Sequence, residues 1–189
     1  EGNELWFRRY GENNFSERGT APGAILLSDG GFLLLGSKGD FFGELSSWDM
    51  FLTKLDSLGN IEWEKTYGGT GFERSTSIAQ DRDGGFIIGG HSRSAPAEPN
   101  GDGLIIKTDS LGNVLWQKKY GTPLEDGSIV VQPSSTREGY LMLHYLQEKI
   151  IFGQESSYTA FLYAIDKEGK VLWRRGFAGQ KFKGPNTFL

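Results

Sequence analysis

The chain has 189 residues, 37% of them hydrophobic and 13% aromatic, which is enough for the packed core of one medium domain. A formal net charge of −4 gives no electrostatic case for binding nucleic acid or an anionic membrane, and no apolar run approaches the length of a transmembrane span. The absence of cysteine rules out disulfides and thiolate metal sites; with 28 glycines and 6 prolines the composition suits many tight turns between short strands.

Glu1 to Glu4 is polar and is no signal peptide. Leu5 to Gly11 (LWFRRYG) starts a pattern that returns in full three times. Phe51 to Gly68 reads FLTKLDSLGNIEWEKTYG, Leu104 to Gly121 reads LIIKTDSLGNVLWQKKYG, and Phe161 to Ala178 reads FLYAIDKEGKVLWRRGFA. Each copy opens with a short apolar run, suited to a strand buried on both faces. An Asp-to-Gly reversal follows, then residues alternating with period two. The Asp-to-Trp spacing is seven residues in every full copy, and the Trp-to-aromatic spacing is four in all copies. Fixed spacing with varied filler marks a repeated structural unit.

Taken in order, the first unit offers strands at Ala24 to Leu27, Phe32 to Ser37, Met50 to Leu55 and Ile61 to Tyr67. The second offers Ser75 to Gln80, Gly85 to His91, Leu104 to Thr108 and Val114 to Tyr120. The third offers Ser128 to Gln132, Tyr140 to Leu146, Ala160 to Ile165 and Val171 to Phe177. Around Tyr140 to Ile151 the apolar positions also suit a helix, and register with the other copies favours a strand. Asp29-Gly30-Gly31 and Asp83-Gly84-Gly85 are hairpin turns, and Arg137-Glu138-Gly139 is a drifted copy. Second and third strands are joined by long, varied connections, from Lys38 to Asp49, Ser92 to Gly103 and Gln147 to Thr159. Variable connections on a rigid scaffold are where binding specificity resides. Asn186 to Leu189 reads as the start of another unit, so the expectation is a window from a longer repeat protein.

The four tryptophans Trp6, Trp63, Trp116 and Trp173 are separated by 57, 53 and 57 residues. A period near fifty with four strands per unit predicts an all-β fold, a β-propeller of four-stranded antiparallel blades. The expected organisation is a single propeller region over 1–189, a partial propeller of three blades plus flanking strands. In it 5–11 is the last strand of a preceding blade, 20–68, 74–121 and 127–178 are blades, and 179–189 begins a further one.

The pattern W-x-K/R-x-Y-G, then Asp-Gly-Gly-Phe, then K-x-D-x-x-G-N-x-x-W resembles the roughly fifty-residue β-propeller-like repeats of secreted proteins and lipoproteins abundant in the Bacteroidota. The resemblance spans residues 5 to 178, and the third copy departs from it at Arg137-Glu138 and Phe177-Ala178. It implies an extracytoplasmic, non-enzymatic propeller, cell-surface, outer-membrane-associated or secreted, with no shared catalytic residues to carry over. Ala164 to Trp173 is also similar to the motif of quinoprotein-type propellers. Glu168 replaces its Thr there, and no adjacent Cys pair exists to pack on a quinone.

The recurring residues have a structural reading each. Trp6, Trp63, Trp116 and Trp173 pack between neighbouring units in preference to forming a ligand-stacking ring. Asp56, Asp109 and Asp166 start turns in preference to acting as acids, with Gly59, Gly112 and Gly169 accepting positive φ. Phe41, Phe42 and Trp48 lie in the first long connection and Tyr158 in the third; they are candidate binding residues, with packing over the unit's edge as the alternative. His91 and His144 lack metal-ligand spacing. Cofactors are expected to be none. Oxygen-rich Asp81 to Gly85 and Glu98 to Asp102 keep Ca²⁺ as an alternative, without the terminal Glu of an EF-hand. The functional expectation is a non-enzymatic binding or scaffold module whose partners are a protein, further blades or a glycan. The alternatives are a quinoprotein-like or carbohydrate-active enzyme whose catalytic residues lie largely outside this segment, and a structural spacer.

Overall fold

The structure, a computed structural model, describes residues 7, 10, 23–39, 47–69, 71–93, 100–124, 126–149 and 157–177. All regular structure among them is β. The first four strands are β1 (Gly23–Leu26), β2 (Phe32–Gly39), β3 (Trp48–Leu55) and β4 (Ile61–Tyr67). Next come β5 (Phe72–Gln80), β6 (Phe86–Arg93), β7 (Asp102–Thr108) and β8 (Val114–Tyr120). The last four are β9 (Ile129–Pro133), β10 (Tyr140–Lys149), β11 (Ser157–Ile165) and β12 (Val171–Phe177). The segment that also suited a helix is strand β10. Among the described residues no helix is long and apolar enough to cross a membrane.

Each group of four is an antiparallel meander in which sequence neighbours pair. The first two meanders merge into one sheet through a single parallel pair, Trp48 with Phe72, and β9–β12 form the second sheet. Within each meander the first and third turns lie at one end and the long second-to-third connection at the other. Strands β3, β5, β7 and β11 begin earlier than the alternation predicts, on the side of the long connections.

Local chemistry closes the short turns. Asp109 Oδ1 accepts from the backbone N–H of Leu111 at 2.9 Å and of Asn113 at 2.8 Å, and its Oδ2 accepts from Asn113 Nδ2 at 2.9 Å. These bonds hold the carboxyl below the usual carboxylate range, with the Asn113 side chain first among the causes. Asp56 repeats all three contacts, and Asp166 accepts from the N–H of Glu168 and Lys170. The turn needs left-handed backbone at its fourth place, and Gly59, Gly112 and Gly169 all take φ 77° there.

The meanders stack face on face. Alternation along β6 and β7 sends Phe86, Ile88, Leu104 and Ile106 into a core shared with Leu33, Leu35, Met50 and Leu52 of the first meander. It sends Ile87 and Ile105 the other way, into a core shared with Ile129, Val131, Tyr140 and Met142 of the third. The middle meander is therefore buried on both faces, which explains its unbroken apolar runs. Each fully buried Leu, Ile or Met contributes about 1.5–3 kcal/mol. Among the described residues the third meander packs against a neighbour on one face only, and β12 is exposed along its whole length.

Candidate functional site

The conserved spacing of Trp and Tyr has one geometric outcome, repeated at each junction. Tyr67 Oη donates to the Gly112 carbonyl at 2.8 Å, and Tyr120 Oη donates to the Gly169 carbonyl at 2.6 Å. Tyr10 makes the same bond to Gly59, also at 2.8 Å. Burial, then the nearby Asp166 charge, pushes the Tyr120 phenol up to about 12, so it stays a donor. Burial and Asp109 raise Tyr67 likewise. Trp63 packs beside Phe86 with ring centroids 6.1 Å apart, and Trp116 beside Tyr140 at 6.2 Å. Trp116 Nε1 donates to Lys167 O at 2.9 Å, and Lys118 Nζ donates to Glu168 O at 2.5 Å. A Cβ on Gly112 would sit 3.0 Å from the Trp63 ring, and one on Gly169 would sit 3.1 Å from the Trp116 ring. Glycine is thus required here for both backbone and contact. These tryptophans, with the turns of Asp56, Asp109 and Asp166, are the joints of the stack.

Among the described residues the third copy does not repeat these contacts. Trp173 is 37% exposed and carries the Arg137 guanidinium 5.5 Å over its ring. Phe177 stands where Tyr67 and Tyr120 stand and has no hydroxyl to donate. Trp48 corrects its placement as a candidate contact residue. It is the first residue of β3, 5% exposed, with its ring 5.5 Å from that of Phe72, because burial of a large ring outweighs its position next to a long connection. Tyr158 falls in β11, and its side chain lies outside the described set. Trp6, Phe41 and Phe42 also lie outside the described residues.

The junction of the second and third meanders holds a cavity of about 430 Å³ on the short-turn end. Its floor is a buried polar group that sequence spacing did not single out. Lys107 is 3% exposed. Its Nζ donates to Asp83 Oδ1 at 2.9 Å and to Thr108 O at 3.2 Å, and lies 3.3 Å from Asp81 Oδ2. Tyr140, 2% exposed, donates its hydroxyl to Asp81 Oδ2 at 2.6 Å. Burial pushes Asp81 up, but the Tyr140 hydroxyl, the Arg82 N–H and Lys107 outweigh it and hold the carboxyl below its ordinary value. Burial, then Asp81, raises the Tyr140 phenol. Neither group exchanges a proton near neutral pH. Arg82 Nη2 reaches across to the Ser134 and Ser135 carbonyls, each at 3.1 Å.

This polar floor is a departure from the repeat. In register, Asp81 occupies the place of Leu27 and Tyr140 the place of Phe86, both members of the apolar core one junction earlier. The turn facing the cavity is also longer: its closing bond runs from Ser134 N to Gly139 O, where the others run from Leu27 N to Gly31 O and from Asp81 N to Gly85 O. Aligning the three copies position by position is the signal that finds it. Lys54 fills the place of Lys107 in the first meander, 2.9 Å from Asp29 and paired also with Glu62. Ala164 fills it in the third.

A smaller cleft, about 180 Å³, contains Glu73 and Tyr67. Glu73 is 6% exposed, accepts from Ser92 Oγ at 2.9 Å, and has its carboxyl raised chiefly by burial. Of the two loops considered for Ca²⁺, the first directs Asp81 and Asp83 onto Lys107. The second begins outside the described residues. Among the described residues, no group of three or more His, Cys, Asp or Glu side chains is placed to hold a metal ion. Compared with known proteins, the chain matches no family model and no curated protein.

Proposed function

We propose that the chain is a non-enzymatic binding or scaffold module of a secreted or cell-envelope protein, built as part of a β-propeller with its three meanders as consecutive blades. The observation that carries this reading is the directional joint made again at each junction, Tyr10 to Gly59, Tyr67 to Gly112 and Tyr120 to Gly169. A joint of that kind stacks units at a fixed offset, as blades stack. The strand ends that flank the long connections all lie at one end of such a stack, and it is to that end that binding of a protein or a glycan is assigned.

The test replaces residues 40–46, 94–99 and 150–156 by glycine–serine segments of equal length. Binding to envelope protein fractions, and to polysaccharide fractions in the presence of saturating free methyl pyranosides that fill any small saccharide site, is then measured by biolayer interferometry. The native chain should bind, and the replaced chain should lose binding at unchanged melting temperature. Binding indifferent to the replacements, or turnover of a saccharide or of a quinone-linked substrate, overturns the reading.

A further inference from the structure

The cavity between the second and third meanders lies at the end opposite the long connections, and we propose that it is a separate site for a neutral saccharide ring. Its volume of about 430 Å³ falls in the range of small-molecule sites. Four cationic and four anionic side chains line it, so its formal charge is balanced. A charged ligand would meet repulsion as often as attraction. A hydroxyl both donates and accepts, and a polyhydroxylated ring suits walls where carboxylates and guanidinium groups alternate.

The aromatic part is already fixed. Trp116 is pinned by its N–H on Lys167 O and by the edge of Tyr140, and both rings line the cavity. A prearranged ring loses little freedom on contact with the apolar face of a sugar. The polar rim is divided between anchored and open groups. Arg82 is tied to the third meander, Asp83 to Lys107, and Arg137 lies over the Trp173 ring, whereas Glu138 is an exposed rim carboxylate.

The repeat supplies an independent argument. The first junction has the equivalent lysine pair, Lys54 with Asp29, but in place of Asp81 and Tyr140 it has the apolar Leu27 and Phe86. Replacing such a pair by a half-buried carboxylate and a buried phenol brings no gain in stability over a packed apolar pair. The exchange and the longer Ser134–Gly139 turn occur together at the junction that carries the cavity.

Saturation-transfer NMR on the intact chain tests this, with methyl glucoside, galactoside, mannoside and N-acetylglucosaminide as probes and glucuronate and glucosamine as charged counterparts. At least one neutral pyranoside should receive saturation, with the charged counterparts weaker. Affinity should fall about tenfold, the effect of one charge-assisted hydrogen bond, in Arg137→Ala or Glu138→Ala at unchanged melting temperature. Asp83→Asn extends the series, and the two exposed variants carry the test should it unfold. The chain with replaced long connections should keep the saccharide, which separates this site from the surface proposed above. The proposal is overturned by silence from every neutral pyranoside, by equal or tighter binding of the charged probes, by unchanged affinity in both exposed variants, or by loss in the chain with replaced connections.

Discussion

His144 shows how far burial alone sets the chemistry of a single side chain here. It is fully buried in β10, with one ring nitrogen 3.1 Å from the Gly127 carbonyl and its ring 6.3 Å from that of Tyr163. Burial pushes it down to about 4 from an ordinary 6.5, against the Gly127 hydrogen bond, which raises it, and with the His91 charge, which lowers it. The unfolded chain therefore takes up a proton below about 6.5 that the native chain refuses until about 4. Stability is full above that window and is lost as the pH falls through it, by on the order of 3 kcal/mol at most. Glu73, whose carboxyl is raised, acts in the opposite sense in an overlapping range. The comparison that isolates His144 is thus the urea midpoint at pH 7.5 and pH 5 in the native chain and in His144→Gln. The variant should show the smaller decline; equal declines would refute the assignment. Legibility at this scale follows distance along the chain. The roles of Asp56, Asp109 and Asp166 could be read because their partners lie within four residues. The burial of His144 could not, because it depends on which meander packs over β10.

At the scale of elements, the exchange of Leu27 and Phe86 for Asp81 and Tyr140 gives a cycle to measure. Tyr140→Phe removes one hydroxyl and leaves a half-buried carboxylate short of one donor, at a cost of about 1–3 kcal/mol. Asp81→Leu combined with Tyr140→Phe restores the apolar pair of the first junction and should recover most of that loss. Guanidinium titration of the two single variants and the double variant measures the coupling, and strict additivity would show that the pair does not act as a unit. The strands themselves were legible from period two and the Asp-to-Gly turns. Their early starts at Trp48, Phe72, Asp102 and Ser157 were not, since the flanks of the long connections carry no alternation. The cavity was hidden for a different reason. Its two defining residues stand 59 positions apart and meet only when the units stack.

Across the whole molecule, among the described residues, the middle meander is enclosed on both sides and the third on one. Ile105 and Leu162 occupy the same place in successive copies, buried in the second and partly exposed in the third. Ile105→Ala should cost about 2–5 kcal/mol by thermal unfolding, and Leu162→Ala less than half of that. Equal losses would mean that the outer face of the third meander is covered in solution. The order of packing could be anticipated from the repeat, because a unit with two apolar faces must have two neighbours.

The tyrosine joints also set a timetable for synthesis. Tyr67 and Tyr120 each close the final strand of their unit, and the acceptors of Tyr10, Tyr67 and Tyr120 arrive 49, 45 and 49 residues later. At about 5–20 residues per second, a ribosome leaves every finished unit unlocked for roughly 2–10 s. During that interval the newest sheet presents an uncovered apolar face to the cell. The chain emerges as a series of waiting surfaces, each closed only by the unit that follows it.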